Sequence, residues 1–302
     1  MLERNPIGYG VESETLSSLL EDAVAGDRRS LAKALTAIED GTLEFEPLQG
    51  NRPNIFGITG APGVGKSCLV DALARHWDNQ GKRVAILAID PSSALSGGAL
   101  LGDRVRMASA DDESEVYVRS VATRNHPGGL PVRLSEMAEL LSMCGFDPVL
   151  IETVGSGQAE IRIVSVADIV LLVEAPNLGD MVQAEKAGLM EIADIVVVNK
   201  MDIDGADKTI SSIVASLEIE SSPPPVLSTS ATEGSGIEKL ASALECAQPR
   251  RGAALAKARE RLMTAWDANL LSREEFDGLI EAISSGEMTA AQAVSKVLEV
   301  LD

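Results

Sequence analysis

Eight residues constrain this chain more than any others: Gly60-Ala61-Pro62-Gly63-Val64-Gly65-Lys66-Ser67. They sit between a short apolar run, Ile55–Thr59, and a stretch of helical spacing, Ser67–Asn79. The run is non-alternating, as in a strand buried on both faces. Strand, glycine-rich turn and helix in immediate succession commit the chain to a parallel α/β unit. With average residue usage, the pattern G-x-x-x-x-G-K-[ST] arises by chance about 0.01 times in a chain this long.

The rest of the middle of the chain follows suit. Apolar runs recur at Arg83–Ile89, Pro148–Glu152, Ile169–Val173, Ile195–Val198 and Val226–Leu227. Tyr117 and its flanking valines predict a further strand at a sheet edge. Helical stretches intervene at Pro131–Met143 and Ile237–Glu245. Such alternation predicts an open, mostly parallel sheet. Residues 51–248 form this domain, and residues 1–50 form a helical N-terminal extension. Its stripes are Leu16, Leu19, Leu20, Ala23 and Val24, then Leu31, Leu35 and Ile38, at i, i+3, i+4 spacing. "QPRRG" (248–252) reads as a hinge-like boundary. Residues 249–302 form a helical arm with an apolar stripe of Leu255, Leu262, Met263, Trp266 and Leu270. Ser272 with Glu275, and Thr289 with Gln292, have capping-box spacing.

Charge excludes some functions. With 26 Lys and Arg against 46 Asp and Glu, the net charge is −20. Such a surface repels nucleic-acid backbones and anionic membranes, so neither is an expected partner. No run reaches the roughly 18 apolar residues of a membrane span, and MLERNPIGYG lacks a signal-peptide layout. Cys68, Cys144 and Cys246 are isolated, and His76 and His126 are the only histidines. A zinc or nickel cluster is therefore poorly supplied. A reduced compartment, the cytoplasm, is expected.

The chemistry of the glycine-rich turn is phosphate binding. Its glycines let successive backbone N–H groups turn towards phosphate oxygens, and the helix N-terminus adds its positive end. Contacts are expected from Ala61, Pro62, Gly63, Val64, Gly65, Lys66, Ser67 and Cys68. Lys66 supplies charge to the β- and γ-phosphates, and Ser67 offers a hydroxyl to magnesium. Asp90 and Glu152 end apolar runs, so both should emerge beside the turn and could serve magnesium. Asp103 lies in the glycine- and serine-rich stretch "PSSALSGGALLGD", suited to a switch loop.

Asn199-Lys200-Met201-Asp202 follows another buried run. A carboxylate at Asp202 can accept from both the N1–H and the 2-amino group of guanine; adenine would leave it unpaired. The stem of Lys200 can cover the purine, and Asn199 can bond the base and tie loops together. Ser230-Ala231, followed by Thr232, resembles the second guanine-contacting loop of GTPases.

Together, "GITGAPGVGKS", "AIDPSSALSGGALLGDRVRM", "ETVGSGQAE" and "LMEIADIVVVNKMD" resemble the methylmalonyl-CoA mutase-associated GTPases, the MeaB/ArgK family. Glu152-Thr153-Val154-Gly155 is the telling motif, because most GTPases carry Asp in D-x-x-G. The resemblance implies a P-loop GTPase core with helical extensions and a homodimer formed through the C-terminal arm. It implies GTP and GDP as ligands, with magnesium held near Ser67, Asp90, Asp103 and Glu152. It further implies a GTP-hydrolysing chaperone that gates adenosylcobalamin loading and protection of a cobalamin-dependent acyl-CoA mutase. The client would be methylmalonyl-CoA mutase or an isobutyryl- or 2-hydroxyisobutyryl-CoA mutase. Catalytic roles fall to Lys66 and Glu152. Gly155 and Gln158 match the second switch, and Asp180, Gln183 and Lys186 match an additional switch of the family. No residue is an obvious water-orienting base. Two other classes stay open on sequence: a metal-insertion GTPase, and a small-molecule kinase of the amino-acid-transport type.

Overall fold

The computed structural model describes residues 13–43, 54–90, 114–123, 129–153, 155, 159–176, 183–218, 222–271, 273 and 275–299. Among the described residues seven strands form one sheet: β1 (Ile55–Thr59), β2 (Val84–Asp90), β3 (Val116–Ala122), β4 (Val149–Glu152), β5 (Ile169–Glu174), β6 (Ile195–Val198) and β7 (Val226–Ser228). Their order is β3-β2-β4-β1-β5-β6-β7, and every pairing is parallel. The expected strand at Tyr117 is β3, and it does lie at the edge. β1 sits between β4 and β5, although the chain leaves it for β2, so the strand order reverses beside it. That is where α/β sheets open a crevice at their carboxyl ends.

The apolar runs do not alternate because both sheet faces are covered. One face presents Ala85, Leu87, Val149, Ile151, Val170 and Val196 to α4 (Leu134–Met143) and its neighbours. The other presents Phe56, Ile58, Ile86, Leu150, Leu171 and Val197 to α3 (Lys66–Asp78) and α8 (Ile237–Cys246). Aromatics are scarce, and the two largest fully buried side chains, Trp77 and Phe56, stack at 5.9 Å.

The N-terminal helices, α1 (Ser13–Val24) and α2 (Arg28–Glu39), join the first of these cores. Ala34, Leu35 and Ile38 are fully buried there. Arg119 of the edge strand clasps α2, pairing with Glu39 at 2.6 Å and donating to the Ala32 carbonyl at 3.2 Å. Val24, expected on the buried stripe, is 44% exposed, since the helix presents Ala23 inward instead. The helix expected from Pro131 begins at Leu134; a turn in which Leu134 N–H donates to Pro131 C=O precedes it.

Three helices close the chain: α9 (Arg251–Leu271), α10 (Phe276–Ser284) and α11 (Ala290–Glu299). Leu279, Ala293 and Val297 form a small core of their own with Leu270, Ile283 and Met288. The Thr289–Gln292 capping box forms: Gln292 N–H donates to Thr289 Oγ1 at 3.3 Å, and Thr289 N–H to Gln292 Oε1 at 2.9 Å. Glu275 stands at the N-cap of α10 without a side-chain cap bond; Ser272 lies outside the described residues.

The expected hinge at 248–252 is pinned. Arg250 N–H donates to Asp194 Oδ1 at 2.9 Å, and its guanidinium to the Ala193 carbonyl at 2.6 Å. Lys257 then pairs with Asp194 Oδ2 at 2.5 Å, both almost fully buried. So α9 lies against the sheet domain with a polar face inward, while Leu255 and Leu262 on the other side are 79% and 70% exposed. Among the described residues no helix is long and apolar enough to cross a membrane.

Candidate nucleotide site

The turn after β1 is held open by its own backbone. Gly65, the N-cap of α3, has φ +92°, a conformation that costs L-residues steric strain. A Cβ there would also stand 2.6 Å from Asn199 Nδ2. Lys66 follows, 6% exposed, with Nζ donating to the carbonyls of Gly60 at 2.7 Å and Ala61 at 3.0 Å. Burial pulls its pKa below the ordinary lysine value, while the charges of Glu152 and Glu160 act in the opposite direction. Gly155 (φ +91°) lies over it; a Cβ there would come within 2.5 Å of Lys66 Nζ. The switch glycine is thus in van der Waals contact with the loop lysine.

Ser67 and Glu152 meet directly: Oγ donates to Glu152 Oε1 at 2.5 Å. The sheet register puts Glu152 beside Ile58 of β1 and Ala88 of β2. Asp90 ends β2 and is 1% exposed. All three line one cleft of about 1200 Å³, together with Gly63, Gly65, Lys66, Cys68, Lys200, Ala231 and Thr232. A hydroxyl and two carboxylates are hard oxygen donors, a set that suits magnesium.

The base-side loops are cross-braced. Asn199 is 1% exposed; its Nδ2 donates to the Val64 carbonyl at 3.1 Å, and its Oδ1 accepts from Thr229 Oγ1 and Ala231 N–H, each at 3.1 Å. It therefore does the tying expected of it, and it takes up the Ala231 N–H. Lys200 adopts φ +60°, the one described non-glycine residue with positive φ, and its Nζ donates to the Gly63 carbonyl at 2.7 Å. Asp202 is exposed and is not among the residues that line the cleft; Ser230 Oγ donates to its Oδ1 at 2.6 Å. The carboxylate is oriented before any ligand arrives.

Two residues escaped the sequence reading. Thr229 is fully buried and bonds Asn199; a threonine directly before Ser230-Ala231 was the available signal. Glu160, 2% exposed, is the second residue of α5 (Ala159–Arg162); only a carboxylate near the second switch hinted at it. Asp103, Gln158 and Asp180 lie outside the described residues. Gln183 and Lys186 fall in the first turn of α6 (Gln183–Ile192). Among the described residues no group of three or more His, Cys, Asp or Glu gathers in a metal-binding arrangement.

Comparison with known proteins decides the family. The profile of the methylmalonyl-CoA mutase-associated GTPase MeaB family matches residues 31–283. This chain is a MeaB-family GTPase. As such it binds guanine nucleotide and hydrolyses GTP. A Pyrococcus horikoshii protein named as a GTPase is 43% identical over 75% of this chain and 76% of its own length. A probable GTPase of Mycobacterium tuberculosis is 35% identical over 96% of both chains. The crystal structure of an LAO/AO transport system kinase covers 96% of the MeaB-family chain and 99% of its own, with a TM-score of 0.60 at 22% identity. That last likeness bears on the fold alone.

Proposed function

We propose that this GTPase is the chaperone of an adenosylcobalamin-dependent acyl-CoA mutase, using GTP hydrolysis to gate cofactor loading and to protect the loaded enzyme. The observation that carries the reading is the Ser67–Glu152 hydrogen bond: it joins the phosphate loop to the first residue of the family's distinctive E-T-V-G motif. The family name supplies the class of client, and the client is methylmalonyl-CoA mutase or a related isobutyryl- or 2-hydroxyisobutyryl-CoA mutase.

In this reading the loop from Ala61 to Cys68 wraps the phosphates, and Lys66 exchanges the Gly60 and Ala61 carbonyls for phosphate oxygens. Asn199 holds the phosphate and base loops at a fixed spacing. Asp202, steered by Ser230, selects guanine, and Lys200 covers the base. Ser67, Asp90, Asp103 and Glu152 would hold magnesium, which when bound neutralises developing phosphate charge. Catalysis is mostly positioning and charge neutralisation. Gly155 touching Lys66 means that the second switch cannot move without changing the lysine's surroundings. Gln183, Lys186 and Asp180 form the additional switch that faces the client. The protein works in the cytoplasm as a homodimer formed through its arm.

The test is GTP turnover with and without purified candidate mutases, alongside release of adenosylcobalamin from the mutase. Acceleration of turnover and nucleotide-dependent cofactor transfer are expected. Absence of both, with no complex on a sizing column in any nucleotide state, overturns the reading.

A further inference from the structure

Helix α5 is a single turn, continued by a 3₁₀ turn at Ile163–Ser165. Segments this short have no helical stability of their own and take their position from what they pack against. On one side Ile163 and Val164 are fully buried against the sheet. On the other side stands the arm. Arg162 Nη1 donates to Asp267 Oδ2 at 2.7 Å, with both side chains largely buried at 16% and 24% exposure. Nearly two turns earlier on α9, Arg261 Nε donates to the Ser165 carbonyl at 3.2 Å. A further turn back, Lys257 Nζ donates to the Asp168 carbonyl at 2.6 Å. At about 100° per residue, Lys257, Arg261 and Asp267 fall within about 120° of the helix circumference. They form one polar face turned to the segment that follows the second switch.

That segment begins seven residues after Glu152. Its second residue, Glu160, is 2% exposed, and its carbonyl accepts from Thr59 Oγ1 at the end of β1 at 3.5 Å. Its carboxylate lies near enough to Lys66 to raise the lysine pKa against the effect of burial. The contacts therefore run from Asp267 through Arg162 and α5 to the Glu160 carbonyl and Thr59, next to Gly60, whose own carbonyl accepts from Lys66 Nζ. Each step is short-range, and the first is a charge-assisted bond in a partly dry site, the kind with the strictest geometry.

We infer that Arg162 and Asp267 are a positioning pair for GTP hydrolysis, through which the C-terminal arm holds the helix after the second switch in register with the phosphate loop. The inference rests on the reading of Lys66, Ser67 and Glu152 as the phosphate end of the site. It makes the arm part of the catalytic apparatus as well as an assembly element. It also gives a physical route by which anything that docks on the arm can alter turnover: tilting α9 displaces α5, and with it the charge of Glu160 beside Lys66. Neither Arg162 nor Asp267 lines the nucleotide cleft, so their loss should leave ground-state binding alone.

The test uses the full chain. Arg162→Ala and Asp267→Ala are each expected to lower kcat for GTP by about threefold to tenfold while KM changes less than about twofold. The charge-swapped double variant, Arg162→Asp with Asp267→Arg, is expected to regain at least half of wild-type kcat. A purely structural role would lower thermal stability without that split and without rescue, so melting temperatures are measured for all variants. Single variants that fold and turn over like wild type overturn the inference, as does a folded swap with no recovery. Ser67→Ala runs alongside. If it keeps wild-type turnover, the reading of the site falls and the positioning pair with it; if it loses turnover while Arg162→Ala keeps it, only the positioning pair falls.

Discussion

Asp202 shows how little a side chain needs from its own element to be useful. It is exposed, yet the Ser230 hydroxyl aims one of its oxygens. Asp202→Asn places an NH2 against the guanine donors, so GTP affinity should fall and xanthosine triphosphate, with a carbonyl in place of the amine, should bind better. Titration calorimetry with both nucleotides checks it; unchanged GTP affinity refutes the base assignment. Lys66→Ala removes a charge-assisted contact of about 1.5–3 kcal/mol, so nucleotide affinity should drop about tenfold or more. The cysteines offer a probe of the same cleft. Cys68 and Cys246 are exposed, whereas Cys144 is buried, with its thiol pushed up to about 11 by burial. At pH 8 a thiol reagent should modify the first two in the native protein and Cys144 only on unfolding. GTP should slow the reaction of Cys68 and leave Cys246 unaffected; equal rates with and without GTP would place the nucleotide elsewhere.

At the scale of elements, the N-terminal helices are the informative case. They carry amphipathic stripes that any surface helix carries, and nothing in their sequence says which surface they cover. In the fold Leu35 and Ile38 enter the same apolar cluster as Leu87 of β2 and Met137 of α4. An appended, independent helical pair could lose a leucine without consequence for the sheet domain. Here Leu35→Ala should destabilise the whole domain by about 2–5 kcal/mol, the usual cost of a large-to-small change in a packed core. Urea unfolding of a Trp266→Phe background, in which Trp77 is the only tryptophan, followed by both fluorescence and far-UV circular dichroism, tests this. Coincident midpoints shifted down together are expected; a shift in only part of the dichroism signal would mean that α1 and α2 unfold alone.

At the scale of the molecule, α9 is inside out relative to an ordinary surface helix. Lys257 and Arg261 face the sheet domain, where Asp194 and the carbonyls of Asp168 and Ser165 take them up, and four of its large apolar residues face solvent. Leu255, Leu262, Met263 and Trp266 are 79%, 70%, 45% and 40% exposed. Contiguous exposed apolar surface of this kind is a protein contact in waiting, which is the ground for proposing a twin. Leu262→Glu with Trp266→Glu should yield a monomer by light scattering that still binds GTP, since neither residue touches the cleft. An unchanged dimer would remove the stripe from the interface. Because linkage is reciprocal, a mutase that prefers one nucleotide state must also shift nucleotide affinity by the same factor; calorimetry in its presence and absence measures both sides.

Much of this protein was legible in one dimension because the decisive chemistry is local. The phosphate loop needs glycines, a lysine and a serine in unbroken succession, and N-K-x-D needs its acid two residues after its lysine. Strands covered on both faces announce themselves as continuous apolar runs, so even the edge strand around Tyr117 could be found. What the linear chain did not contain is any contact whose partners are far apart and individually ordinary. Thr229 bracing Asn199, Glu160 approaching Lys66 and Arg162 meeting Asp267 each join common residue types across 30 to 105 positions. The direction in which α9 turns its stripe was equally undetermined. An amphipathic helix has two faces, and only the buried acid at Asp194, itself placed by the sheet, decided that the charged one would point inward.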